Sequence, residues 1–78
     1  MTNLEKYENV FCENLQVEKE QLASLKYQDV PMWDSVGHMS LMAALEDAFD
    51  IMMETDDIID FSSFEKGKEI LKKYDVEI

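Results

Sequence analysis

The chain has few of the residues that brace a small fold. Only one cysteine and one histidine occur among its 78 residues. A single cysteine cannot form an intrachain disulfide, and it suits a reducing compartment. The sequence also lacks a cluster of metal ligands, so we predict no metal site. Without such additions a core of this size is only marginally stable, and a deep catalytic cleft is hard to build.

Long apolar runs are missing as well. No segment approaches the ~20 apolar residues that a membrane span needs. Residues 1–6 lack the basic and apolar regions of a secretory signal. We therefore expect a soluble, cytoplasmic, monomeric protein that forms one domain over residues 1–78 and does not bind membranes.

Arginine is absent, and seven lysines stand against eighteen acidic residues, for a formal net charge of −11. Ten of the acidic residues, and no lysine, lie between Lys26 and Lys66. This charge repels nucleic acid and anionic lipid, so we expect neither as a partner. It attracts basic protein surfaces, although an acidic surface can also serve solubility alone.

The apolar spacing of the first half predicts a helix followed by a long loop. Thr2 and Glu5 form a capping-box pattern that begins the helix near Asn3. One apolar stripe follows the helical period, and its members are Leu4, Tyr7, Phe11 and Leu15. Residues 16–33 lose this period and contain the only proline. They predict a long loop, with at most a short turn around Gln21–Leu25.

The middle of the chain predicts a second long helix and a short helical turn. Asp34 or Ser35 caps the long helix, which ends near Asp50. The short turn follows Thr55 and runs through residues 56–60.

The last segment predicts another helix. Ser62 and Glu65 form a second capping-box pattern, and the helix runs to about Tyr74. One face of this helix contains Phe64, Gly67, Ile70, Leu71 and Tyr74. Gly67 on that face would permit the close approach of a neighbouring helix. Because no segment alternates like a strand, we predict an all-α bundle of three main helices, one short helix and a long first loop.

A helical wheel divides the second helix into two faces. The predicted core side contains Leu41, Met42, Leu45, Phe49 and Met52. The opposite side contains Val36, Met39, Ala43, Glu46, Asp47 and Asp50. This second face is either incidental exposure or a docking surface. In the latter case Val36 and Met39 are apolar anchors, and Glu46, Asp47 and Asp50 contact basic side chains of a partner.

Ser35 does not have the surroundings of a nucleophile. A catalytic serine needs a base and a group that orients the base. His38 is the only histidine, and its wheel position beside the core favours a packed, hydrogen-bonded residue. Residues 33–37 also do not form a Gly-x-Ser-x-Gly elbow. We likewise expect Trp33 to be a packing residue and Cys12 to be a buried thiol.

With these features in place, the chain resembles the acyl carrier protein family and its aminoacyl and peptidyl carrier relatives. The family pattern is Asp-Ser-Leu followed by Leu-x-x-x-Leu-Glu-x-x-Phe. It is matched here by Asp34-Ser35-Val36, Leu41, Ala44-Leu45-Glu46 and Phe49-Asp50. Length, acidity, helix order and the long first loop extend the resemblance over essentially the whole chain.

The resemblance implies a non-catalytic carrier. Ser35 would bear a 4'-phosphopantetheine arm, derived from coenzyme A, that holds an acyl or aminoacyl group as a thioester. Asp34 would help to position magnesium in the complex with a phosphopantetheinyl transferase of the holo-ACP synthase type. The docking positions implied by the family are Val36, Met39, Glu46 and Asp47. Further implied partners are a ligase that loads the cargo, and acyltransferases or synthases with basic docking sites.

Departures from the family pattern point to a specialised acyl carrier, or to an aminoacyl or D-alanyl carrier. Gly37 and Ser40 replace acidic residues that are common in fatty-acid carriers, and Met53-Glu54 replaces the usual Ile-Pro. Two other hypotheses remain from the residues alone. One is an unmodified acidic interaction module that uses the helix over residues 35–50, and the weaker one is a small hydrolase built on Ser35 and His38.

Overall fold

The computed structural model describes all 78 residues and contains five helices and no strand, which confirms the all-α prediction. The helices are α1 (Asn3–Leu15), α2 (Lys19–Leu22), α3 (Ser35–Phe49), α4 (Thr55–Asp60) and α5 (Phe64–Lys72). α1 packs chiefly on α3. The Cα radius of gyration is 11.2 Å, as expected of a compact chain of this length. None of the helices combines the length and the apolar character needed to cross a bilayer.

The predicted capping box begins α1. The Thr2 hydroxyl accepts a hydrogen bond from the Glu5 N–H at 3.1 Å, and the Glu5 carboxylate accepts one from the Thr2 N–H at 3.0 Å. The stripe is buried from Tyr7 onward, but Leu4 is 39% exposed, so its predicted burial was wrong. Leu4 shares the angular position of the stripe, yet it lies in the first turn, beyond the end of the core.

The segment predicted as a loop contains the short helix α2. The Glu18 N–H donates to the Gln21 side chain at 2.9 Å, and the Gln21 N–H donates to the Glu18 carbonyl at 3.0 Å. The helix therefore begins before the turn expected around residues 21–25. After α2 the chain lies against the α4–α5 connection, because the Tyr27 N–H donates to the Ser62 carbonyl at 2.9 Å.

Aromatic rings fill the centre of the core. The Phe11 ring is completely buried, and its centroid lies 4.9 Å from Tyr7, 5.0 Å from Phe64 and 5.5 Å from Trp33. Such edge-to-face contacts stabilise a core beyond the area they bury. Trp33, predicted to be a packing residue, is completely buried and connects this cluster to the beginning of α3.

α5 begins one residue later than predicted. Ser63, and not Ser62, caps it by accepting a hydrogen bond from the Lys66 N–H at 2.9 Å. Ser62 does not cap the helix, because its backbone carbonyl is hydrogen-bonded to the loop that precedes α3. Gly67 does permit a close approach, since a Cβ there would lie 2.1 Å from the Tyr7 hydroxyl.

The core face of α3 ends sooner than the helical wheel predicted. Met52 is 84% exposed, and Met53 is buried in its place. The cause is Asp50, which adopts the left-handed conformation (φ 52°) and ends the helix, so the wheel does not extend to residue 52. The Glu46 carboxylate then accepts a hydrogen bond from the Met53 N–H at 2.8 Å and fixes the following turn.

A polar cluster joins α4 to the end of α5. Asp57, one of the ten acidic residues between Lys26 and Lys66, is buried. Its Oδ1 lies 2.6 Å from Lys73 Nζ, and its Oδ2 accepts a hydrogen bond from the Tyr74 hydroxyl. That hydroxyl in turn accepts one from the Glu54 N–H at 2.9 Å. The hydrogen bonds from Lys73 and Tyr74 hold the pKa of Asp57 below its ordinary value.

We expect Asp57 to stabilise the fold at neutral pH and to lose that effect in acid. A carboxyl with a lowered folded pKa stabilises above its unfolded pKa, and the contribution disappears as pH falls through the folded pKa. The urea midpoint of the wild type should exceed that of Asp57→Asn at about pH 6, and the difference should shrink toward about pH 2. Asp56→Asn, at an exposed neighbouring carboxylate, is the control. A difference that does not change with pH would contradict this account.

Candidate functional site

Ser35 is the first residue of α3, and its side chain is exposed. Of the two capping residues that the sequence allowed, Asp34 is the one used: its carboxylate accepts a hydrogen bond from the Gly37 N–H at 2.8 Å. Asp34 therefore caps the helix without the Ser35 side chain. The Ser35 hydroxyl makes no hydrogen bond within the protein, so it is free to take part in chemistry.

Gly37 allows the preceding loop to lie close against the first turn of α3. A Cβ at this position would lie 1.7 Å from the Met32 carbonyl oxygen and 3.3 Å from the capping carboxylate of Asp34. The first of these atoms belongs to the backbone and cannot move without the loop. The position of Ser35 therefore depends on the absence of a side chain two residues later.

His38 is held by hydrogen bonds at both ring nitrogens. The Trp33 indole N–H donates to His38 Nδ1 at 2.9 Å, and His38 Nε2 lies 2.8 Å from the Ile58 carbonyl oxygen. An indole nitrogen is only a donor, so Nδ1 is the acceptor, and the imidazole proton lies on Nε2. Neither nitrogen is free to accept a proton from Ser35.

An apolar cleft of about 370 Å³ opens beside Ser35. It lies between α3, α4 and the loop before α3. The lining residues are Tyr27, Ser35, His38, Met39, Ile58, Ile59, Phe61 and Ser62. A cleft with mainly apolar walls and a few hydroxyl groups is typical of a site for small organic groups.

Exposed apolar side chains surround Ser35. The predicted anchors Val36 and Met39 are both exposed, Val36 at 75%. The structure adds Met32 from the loop and Ile59 from α4, the latter 72% exposed. Only a weak signal in the sequence pointed to Ile59: of two adjacent isoleucines on a six-residue helix, one must point away from the core.

The three predicted carboxylates of α3 do not form one group. Asp47 and Asp50 are exposed, whereas Glu46 is half-buried and bonded to the Met53 N–H. Glu46 lies eleven residues after Ser35, about 16 Å along the helix. The structure therefore gives Glu46 a local structural role, and the carboxylates lie well apart from the serine.

Two further sequence features lie outside the site. Cys12 was predicted to be buried but is only half-buried, because it lies at the margin of the α1 stripe. Partial burial nevertheless raises the pKa of its thiol. No group of three or more His, Cys, Asp or Glu side chains is arranged to hold a metal ion.

The candidate site thus consists of the free Ser35 hydroxyl at the start of α3, the adjacent cleft and the exposed apolar side chains around them. Asp34 and Gly37 set the local backbone, and His38 joins α3 to α4. No match to this chain was found among protein-family models, curated proteins or solved structures.

Proposed function

We propose that this chain is a carrier protein whose Ser35 bears a covalent 4'-phosphopantetheine arm. The observation that carries the proposal is the Ser35 hydroxyl: it is exposed, free of hydrogen bonds and located at the edge of an apolar cleft. A phosphodiester at the beginning of a long helix is favoured by the helix dipole, by about 0.3–1 kcal/mol.

The residues around Ser35 suit the attachment of such an arm. In the modification, Ser35 Oγ forms a bond to the phosphorus next to the pantetheine half of coenzyme A. The diphosphate bond breaks, and adenosine 3',5'-bisphosphate leaves. Because both nitrogens of His38 are engaged, the base that takes the serine proton comes from the transferase or from water. When attached, the arm supplies a thiol that holds an acyl or aminoacyl group as a thioester.

The order of the helices supports the acyl-carrier-like form of this fold. A long α1, a long connection, a serine at the first residue of α3, a short α4 and a final α5 follow one another as the resemblance implies. The departures from the family pattern at Gly37, Ser40 and Met53-Glu54 favour a specialised acyl or aminoacyl cargo. We propose the cytoplasm as the location of the protein.

The partners of a carrier would approach the serine end of α3. Val36 and Met39 offer apolar contacts there, and Asp47 and Asp50 attract basic side chains along the same helix. The transferase, a loading ligase and an acyltransferase or synthase would use this surface in turn. Glu46 suits this purpose less, because its carboxylate already accepts the Met53 N–H.

Modification of Ser35 is tested by intact mass. We expect the wild type, incubated with coenzyme A, magnesium and a broad-specificity phosphopantetheinyl transferase, to gain one phosphopantetheine group. Ser35→Ala should gain none, because the attacking hydroxyl is lost. Ser40→Ala, at another exposed serine of α3, is the matched control and should be modified like the wild type.

Two results of this experiment would overturn the proposal. One is a wild type that gains no mass although circular dichroism shows it to be folded. The other is an equal gain on Ser35→Ala. The first would favour the hypothesis that α3 is an unmodified interaction surface.

A further inference from the structure

His38 lies where three parts of the molecule meet. It belongs to the first turn of α3, accepts a hydrogen bond from Trp33 in the preceding loop and donates one to the Ile58 carbonyl of α4. Its position one turn after Ser35 places this junction next to the serine. No other side chain joins α3 to α4 by a hydrogen bond.

Few contacts other than the His38 hydrogen bond hold the α4 helix beside α3. It has only six residues, too few for a helix to be stable by itself, and it packs extensively along none of the other helices, α3 included. The bonds from Asp57 to Lys73 and Tyr74 fix α4 to the end of α5. Phe61 anchors its end in the core.

Neighbouring rings set the direction in which the His38 imidazole points. The ring lies nearly parallel to Trp33, with centroids 6.3 Å apart and an interplanar angle of 15°. The Tyr27 and Phe61 rings are steeply inclined to it, with centroids 5.3 Å and 6.3 Å from its own. With Nδ1 bound to the indole, this arrangement directs the Nε2 proton toward Ile58.

We propose that His38 is a positioning residue that holds α4 against the serine end of α3. Through this bond Val36 and Met39 of α3 and Ile59 of α4 form one apolar surface around Ser35. A phosphopantetheinyl transferase then meets that surface already assembled. The inference rests on the proposed carrier function, and it assigns recognition, not proton transfer, to the histidine.

Two substitutions separate the two hydrogen bonds of His38. In His38→Gln the side-chain amide nitrogen can reach the position of Nε2 and donate to the Ile58 carbonyl. In His38→Asn the side-chain oxygen can replace Nδ1 as the acceptor for Trp33, but the side chain is too short to reach Ile58. His38→Asn therefore loses the hydrogen bond between α3 and α4, whereas His38→Gln retains it.

The first measurement is the steady-state kinetics of the transferase with coenzyme A and magnesium, with the carrier as the varied substrate. For His38→Asn we expect KM to rise about threefold to tenfold, the effect of losing one hydrogen bond. The value of kcat should stay unchanged because Ser35 is intact. His38→Gln should keep KM within about twofold of the wild type.

The second measurement is amide hydrogen exchange of α4 in the unmodified protein. The amides of residues 58–61 should exchange faster in His38→Asn and at the wild-type rate in His38→Gln. Equal KM values for the two variants, with α4 protected alike in both, would overturn the proposal. A wild type that is not modified would defeat the carrier function instead, and the exchange rates would still decide whether His38 holds α4.

Discussion

Phe11→Ala is expected to remove a large part of the free energy that stabilises the fold. Phe11 is completely buried and contacts four other aromatic rings, those of Tyr7, Trp33, Phe61 and Phe64. Removing a buried phenylalanine typically lowers the free energy of unfolding by 3–5 kcal/mol. A domain of this length has a total of about 4–12 kcal/mol. Urea unfolding followed by circular dichroism measures the loss.

Leu4→Ala is the matched control for Phe11→Ala. Both residues lie on the same angular stripe of α1, but Leu4 is exposed in its first turn. We expect a change within about 0.5 kcal/mol, as for most surface substitutions. Similar losses of stability at the two positions would show that the first turn of α1 is packed into the core.

Gly37→Ala is expected to disturb the serine site more than its size suggests. Alanine normally stabilises a helix interior relative to glycine by about 1 kcal/mol. Here its Cβ would overlap the Met32 carbonyl oxygen, at a distance of 1.7 Å. Displacing packed backbone typically costs about 1–3 kcal/mol, so we expect a net loss of stability. The loop before Ser35 must move, and the transferase should modify the variant several-fold more slowly.

Leu71→Ala separates the site effect of Gly37→Ala from general instability. Leu71 is completely buried in α5, and it does not line the cleft beside Ser35. We expect lower stability with an unchanged modification rate per folded molecule. If both variants slow modification equally at matched folded fractions, the specific role of Gly37 is wrong.

Signals that act within one helical turn could be predicted from the sequence. The capping box of α1 and the cap of α3 each depend on residues three apart, such as Thr2 with Glu5 and Asp34 with Gly37. These features need no knowledge of the rest of the chain.

Features that depend on distant segments could not be predicted. The burial of Met53 in place of Met52 follows from the left-handed Asp50, and the shift of the α5 cap to Ser63 follows from a backbone bond between Ser62 and Tyr27. Periodicity identifies a face but not the point where the core ends.

The candidate site also combines features that local sequence predicts with features that depend on distant segments. Ser35, Val36 and Met39 share one helix end, so local reasoning brings them together. Ile59 and the cleft arise only when α4 lies beside α3, and the bond from His38 to Ile58 joins residues twenty positions apart.

The burial of Trp33 has a practical consequence. It is the only tryptophan of the chain, and its indole lies between the Phe11 ring and the His38 ring, two residues before the serine. Its fluorescence is therefore an intrinsic optical reporter at the serine end of the molecule. Changes that open this end to water should shift the emission to longer wavelength, so that the proposed modification, loading and docking can be tested in real time without an attached dye.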